Sequence, residues 1–129
     1  MECSLEMCIR DSARAASVLR NGGKDAEAVL ALPEAVDTAY ISGDSAFELA
    51  RLIYKFPDVV AEAAEKYEPS IVTRHVVDVA QWFNRFYHDE HILTDNEAER
   101  RAKLLLTFAA KQTIKNGLSL LGMEAPERM

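Results

Sequence analysis

The chain has 129 residues, 49% hydrophobic and 28% charged, with 5 Gly and 4 Pro. That is enough material for one domain with one core, and the makeup excludes a disordered, collagen-like or low-complexity chain. The net charge of −6 speaks against a nucleic-acid partner for the chain as a whole, yet residues 1–69 hold 13 acids and 7 bases while residues 70–129 hold 8 of each, so the excess acid lies upstream.

The opening MECSLEMCIRDS places two Glu ahead of any apolar stretch and lacks the basic start and apolar core of a secretory signal. No apolar run reaches the roughly 18 residues of a membrane-spanning helix. No membrane partner is expected, and the cytoplasm is the expected compartment. The only cysteines, Cys3 and Cys8, have no downstream pair to complete a zinc site, so they are read as reduced, stray thiols.

Ala13 to Arg20 predicts a short helix stopped by Asn21-Gly22-Gly23. A helical turn is expected from Asp25 to Leu32 and another after Pro33. Ser45-Ala46-Phe47-Glu48 has the form of a capping box ahead of Leu49, Leu52, Ile53 and Phe56 at helical spacing. Pro57 is expected to end that helix and start the next, whose apolar face is Val59, Val60, Ala63, Ala64 and Tyr67, the two forming a helical hairpin. From about Ser70 to His88, Val72, His75, Val76, Val79, Phe83 and Phe86 share one side at 100° per residue, while Arg74, Asp78, Gln81, Arg85 and His88 form a polar stripe opposite. A second capping box, Thr94 to Glu97, opens a helix that Gly117 is expected to close at Asn116, with Ala98, Ala102, Leu105, Leu106 and Ala109 inward. Early acids and late bases suit its dipole. Leu118 to Met129 is apolar enough to pack. With no strand pattern and no internal repeat, the fold is all-α, a helical bundle.

No phosphate-binding glycine loop, nucleophile elbow or zinc-protease helix occurs, so no catalytic residue is assigned. His88-Asp89-Glu90-His91 is the one dense set of possible metal ligands, but no other group is spaced to close the shell, and no metal site is expected. His75, on the apolar face, reads as a core histidine donating to a backbone carbonyl. Trp82, Phe83, Phe86 and Tyr87, interleaved with Asn84, Arg85 and His88, offer aromatic faces, guanidinium and amide groups of the kind that hold unstacked RNA bases. Phe83 and Phe86 belong to the core; Trp82 and Tyr87, on its flanks, fit either boundary packing or stacking. Arg100, Lys103 and Lys111 are placed on the outward side of the last helix, as a solvated face or an RNA-facing one.

The stretches YEPSIVTRHVVDVAQWFNRFYHD (Tyr67 to Asp89) and AAKQTIKNGLSLLGMEAPERM (Ala109 to Met129) resemble the carboxyl end of arginyl-tRNA synthetases. ARAASVLR (Ala13 to Arg20) is similar to the first helix of the same family's DALR-type anticodon-binding domain, so the resemblance runs from residue 13 to 129. It implies a bundle of the class I synthetase anticodon-binding type that docks the anticodon stem-loop of arginine tRNA, while a separate catalytic domain joins arginine to that tRNA using ATP and Mg2+. The HIGH-like and KMSK-like motifs of that catalytic domain do not occur here, so the chain is expected to be a non-catalytic fragment holding no cofactor, with its own catalytic domain and the tRNA as partners and DNA as none. Met1 to Ser12 has no counterpart in the family, and MCIRDS (Met7 to Ser12) is similar to translated sequencing-adapter text. Residues 1–12 are accordingly expected to be artefactual, standing in place of the lost catalytic portion.

Carried over residue by residue, the resemblance implies an RNA-docking surface of Arg14, Arg74, Tyr87 and Met129, then Asn84, Arg85 and Lys111. Arg14 and Arg74 would grip phosphates or bases, Tyr87 would stack on or hydrogen-bond an anticodon nucleotide, and Met129 would pack beside the loop. Two other readings remain: a helical adaptor that docks protein through the Trp82 and Tyr87 flank, and the DALR domain of a cysteine or glycine synthetase, against which the GLSLLGMEAPERM ending speaks.

Overall fold

A computed structural model of the chain describes residues 2–31 and 36–123, with side chains from Met7 onward. Five α-helices and a single 3-10 turn make up these residues: α1 (Glu2–Gly22), α2 (Lys24–Ala31), the turn at Thr38–Tyr40, α3 (Asp44–Lys66), α4 (Ser70–Asp89) and α5 (Glu97–Leu120). Helix α4 lies at the centre, packing against α1, α3 and α5, and α2 covers α5. The expected inner face of α4 is the inner face: Val76, Val79, Phe83 and Phe86 are fully buried, and Val72 and His75 nearly so. Its polar stripe, Arg74, Asp78, Gln81, Arg85 and His88, is exposed.

Several boundaries differ from the sequence expectation, each for a tertiary reason. Helix α1 starts eleven residues before Ala13, at Glu2, and buries Cys8, Asp11 and Ser12. It ends as expected, with Gly23 in the left-handed region at φ +55°. Pro57 does not divide α3, which runs through it from Asp44 to Lys66. Buried side chains on both sides of the proline, Leu49, Leu52 and Ala63, hold one continuous face on α4 and outweigh the missing N–H. His75 Nε2 donates to the Leu52 carbonyl at 2.8 Å just before this point, as expected for a core histidine. The hairpin forms later, between α3 and α4, at Tyr67, whose left-handed backbone (φ 54°) lets Glu68 N–H reach the Ala63 carbonyl at 3.0 Å.

Neither expected capping box forms. Gly43 is the N-cap of α3, and the Ser45 hydroxyl instead donates to Asp89 Oδ2 at 2.7 Å, tying α3 to the last residue of α4. At α5 the cap is Asn96, whose side chain accepts from Ala98 and Glu99 N–H.

Gly117 does not stop α5; the helix continues to Leu120 and turns at Gly122, φ +79°. A Cβ on Gly117 would lie 2.1 Å from Val76 Cγ2, so glycine is required there by close approach of α5 to α4. On α5, Ala102 and Leu106 are buried as expected, but the inward face also takes in Leu104, Ala110, Ile114 and Leu118, all fully buried, while Leu105 and Ala109 are half-buried and Ala98 is exposed. Lys103, expected outward, is 5% exposed, its ammonium donating to Glu99 Oε1 at 2.8 Å and the His91 carbonyl at 3.3 Å, with Glu90 Oε1 at 3.6 Å. Arg100 is likewise engaged, donating to Asp25 Oδ2 at 2.7 Å across to α2. Leu121 and Met123 pack on the core, as expected for the apolar ending, although Leu120 is exposed. No helix among the described residues is long and apolar enough to cross a membrane. The turn expected after Pro33 lies outside the described residues.

Candidate nucleic-acid interface

Three of the seven residues singled out from the sequence meet at one place, the seam between α1 and the end of α4. Tyr87 follows Phe86 by one position, so the same register that buries Phe86 leaves Tyr87 on the shoulder of the core, 38% exposed. Its ring rests on Phe83, one turn earlier, at 6.4 Å, and meets the His88 ring edge-on at 5.4 Å. From α1, the Arg14 guanidinium lies over the Tyr87 ring, 4.9 Å from its centroid. Arg14 Nη1 donates to Asn84 Oδ1 at 2.5 Å. The guanidinium plane is thus held by an amide and an aromatic face on α4, with its side chain still 38% exposed.

Below it, Asp11 completes the arrangement at 3.5 Å from Arg14. Its carboxyl is 3% exposed and one oxygen has no partner. Burial pushes its pKa up from 3.8 to about 6, against the attraction of Arg14 and His88. Burial also pushes the Cys8 thiol, one turn earlier, up to about 12, which keeps it protonated and unreactive. Sequence reading missed Asp11. The signal was its i,i+3 spacing from Arg14.

The remaining residues are dispersed. Arg85 is on α4 beside the seam, its guanidinium 4.7 Å from the centre of the Trp82 ring, which makes Trp82 a half-buried boundary residue covered by its own helix. Arg74 stands thirteen residues before Tyr87, about 20 Å away along α4. It lines a groove with Glu62, Lys66, Glu68 and Asp78. Lys111 lies on α5 in another groove, formed with Leu19, Arg20, Leu30 and Phe108 against α1 and α2. Met129 lies outside the described residues. Among the described residues no group of three His, Cys, Asp or Glu could hold a metal ion.

The class this defines is an all-helical recognition bundle, with cationic, amide and aromatic groups organised at one seam. The chain belongs to the DALR anticodon binding domain family, whose profile matches residues 9–129. It is similar to the arginine–tRNA ligase of Alkaliphilus metalliredigens, with 44% identity over 117 residues, 91% of this chain and 20% of that protein. The arginine–tRNA ligase of Halothermothrix orenii is 45% identical over 93 residues, 72% of this chain and 16% of that protein. That of Enterococcus faecalis is 38% identical over 117 residues, again 91% of this chain and 19% of that protein. The chain therefore spans about a fifth of the length of the curated relatives it matches.

Proposed function

We propose that this domain docks the anticodon stem-loop of arginine tRNA on behalf of an arginine–tRNA ligase, whose catalytic portion performs ATP-dependent arginylation. The observation that carries this reading is the Arg14, Asn84 and Tyr87 cluster, in which a cation is fixed on an aromatic platform at an open seam. RNA loops are recognised by such groups, because bases splayed from the stack find π-faces and guanidinium planes while phosphates find charge. The similarity to arginine–tRNA ligases over 91% of the chain supports the choice of tRNA. Arg85, Arg74 and Lys111 are assigned to the same docking surface, and the family resemblance adds Met129 to it. ATP and Mg2+ are assigned to the catalytic portion of such a ligase; the sequence of this domain carries no phosphate-binding glycine-loop motif. The domain's contribution to the reaction is positional: anticodon binding fixes the tRNA so that its acceptor end meets the distant catalytic centre, converting remote binding energy into placement of the reacting groups. Such an enzyme works in the cytoplasm.

Binding of an arginine-tRNA anticodon hairpin, compared with a hairpin of scrambled loop sequence, tests the reading. Wild-type chain is expected to prefer the arginine hairpin, and Tyr87→Ala to weaken that binding by roughly tenfold or more while the thermal midpoint moves little. Equal affinity of the wild type for both hairpins would overturn the reading.

A further inference from the structure

Docking of an RNA loop leaves Asp11 unexplained, an acid set directly beneath a guanidinium that faces a polyanion. Its side chain is 4% exposed; Oδ1 stands 3.5 Å from Arg14 Nη1, and Oδ2 has no hydrogen-bond partner among the described residues. A buried carboxylate so incompletely satisfied is costly, and a proton removes much of that cost. We propose that Asp11 is a proton-operated brake on RNA binding: ionised, it offsets the charge of Arg14 and weakens the hold on an RNA phosphate, and protonated it frees that charge, so that the chain binds RNA more tightly in mild acid; this rests on the RNA-docking function proposed above.

The groups around Asp11 set when the brake operates. From its own helix come Arg14 and, one turn earlier, the Cys8 thiol, which burial keeps protonated. From α4 comes His88, whose charge, like that of Arg14, favours the ionised acid. Helices α2 and α5 also contact α1, and the one charged side chain that they bury, Lys103, is held by Glu99 and the His91 carbonyl. Lys111 of α5 meets α1 at Leu19 and Arg20, about two turns beyond Asp11. Burial outweighs the attraction of Arg14 and His88 and pushes the Asp11 pKa up to about 6. The charge is therefore present at neutral pH and lost in mild acid.

Protonation changes the charge at the seam without releasing the guanidinium. Arg14 Nη1 donates to Asn84 Oδ1 and the guanidinium lies over the Tyr87 ring, so two contacts on α4 hold it when the ion pair is gone. A unit charge just behind Arg14, screened from water by burial, changes its attraction for a phosphate on the order of tenfold. Linkage makes the effect reciprocal: bound RNA raises the proton affinity of Asp11 by the same factor, and binding takes up a proton.

The test titrates an arginine-tRNA anticodon hairpin against the wild-type chain, Asp11→Asn and His88→Gln at about pH 5.5 and about pH 7.5. Wild type is expected to bind about tenfold more tightly at the lower pH. Asp11→Asn keeps the shape of the side chain without its charge, and is expected to bind tightly already at the higher pH and to lose most of the response. His88→Gln removes the histidine that acts on Asp11 and is expected to keep most of it. Equal wild-type affinity at the two pH values would overturn the brake while leaving the docking function in place, and so would a response that persists in Asp11→Asn and disappears in His88→Gln. A wild-type chain that ignores the hairpin at both pH values would overturn the docking function, and the brake with it.

Discussion

Helix α4 has two seams of opposite character. Against α5 it presents Val76, and α5 approaches so closely that only Gly117 fits opposite it, with Val79 and Phe83 fully buried on the same side of the helix. Against α1 it presents Asn84 and Tyr87, which meet a guanidinium instead of a methyl group. One helix thus separates two tasks by register: the residues that hold the bundle together occupy one side, and those that meet a ligand occupy the shoulder. Substitutions at the first seam should cost stability, and substitutions at the second should cost recognition.

The largest effect is expected at the apolar seam. Replacing a mid-helix glycine by alanine ordinarily gains about 1 kcal/mol from helix propensity. At Gly117 a Cβ would overlap Val76 Cγ2 at 2.1 Å, and neither backbone can retreat without opening a close-packed core. Gly117→Ala is expected to destabilise by about 3 kcal/mol or more, read as a lowered denaturant midpoint. A variant as stable as wild type would show that the two seams are not energetically distinct.

That position also shows where sequence reading stops. A glycine followed by leucines reads as a helix end, and nothing local reveals that a valine forty-one residues earlier requires it. Ser45 and Lys103 fail for the same reason: the hydroxyl goes to Asp89 and the ammonium to the loop at His91, contacts that no local pattern encodes. What was legible was periodicity and the glycine stop of a helix, while both expected capping boxes failed. The inner face of α4, the hydrogen bond from His75 to a carbonyl and the glycine end of α1 follow from 100° per residue and from left-handed backbone geometry. Of the interface, residue types were legible on Arg14, Asn84 and Tyr87. Their meeting was not, because it joins positions seventy residues apart.

An intermediate effect is expected from the buried acid at the polar seam. The Asp11 pKa is about 6 in the folded chain against 3.8 ordinarily, so the folded state binds the proton more tightly. Its contribution to stability is fully present below about pH 4 and is lost as pH rises through 6. Asp25, Glu48 and Glu62, held low by hydrogen bonds from Arg100, Arg51 and Lys66, act in the opposite sense: their contribution is lost only as pH falls below the ordinary carboxylate range. Asp11→Asn is therefore expected to raise stability at pH 7 by about 1–3 kcal/mol and to leave it unchanged near pH 4. Denaturation at the two pH values checks this, and equal shifts at both would show that the charge of Asp11 is not what burdens the seam.

The smallest effect is expected at the other end of α4, where Arg74 shares its groove with Glu62, Glu68 and Asp78 as well as Lys66. A cation among acids attracts a phosphate less strongly than one held apart from them. Its loss should nonetheless be visible as counterion release: Arg74→Ala is expected to lower the log-log salt slope of hairpin binding by about 0.7–0.9 if it neutralises one phosphate. The affinity change at fixed salt should be smaller than for Tyr87→Ala, and the preference for the arginine hairpin should survive, because a phosphate contact carries no base information. An unchanged slope would remove Arg74 from the docking surface and confine recognition to the seam between α1 and the end of α4. In that case a stretch of α4 about 20 Å long would separate the recognition end from an opposite end that serves the fold alone.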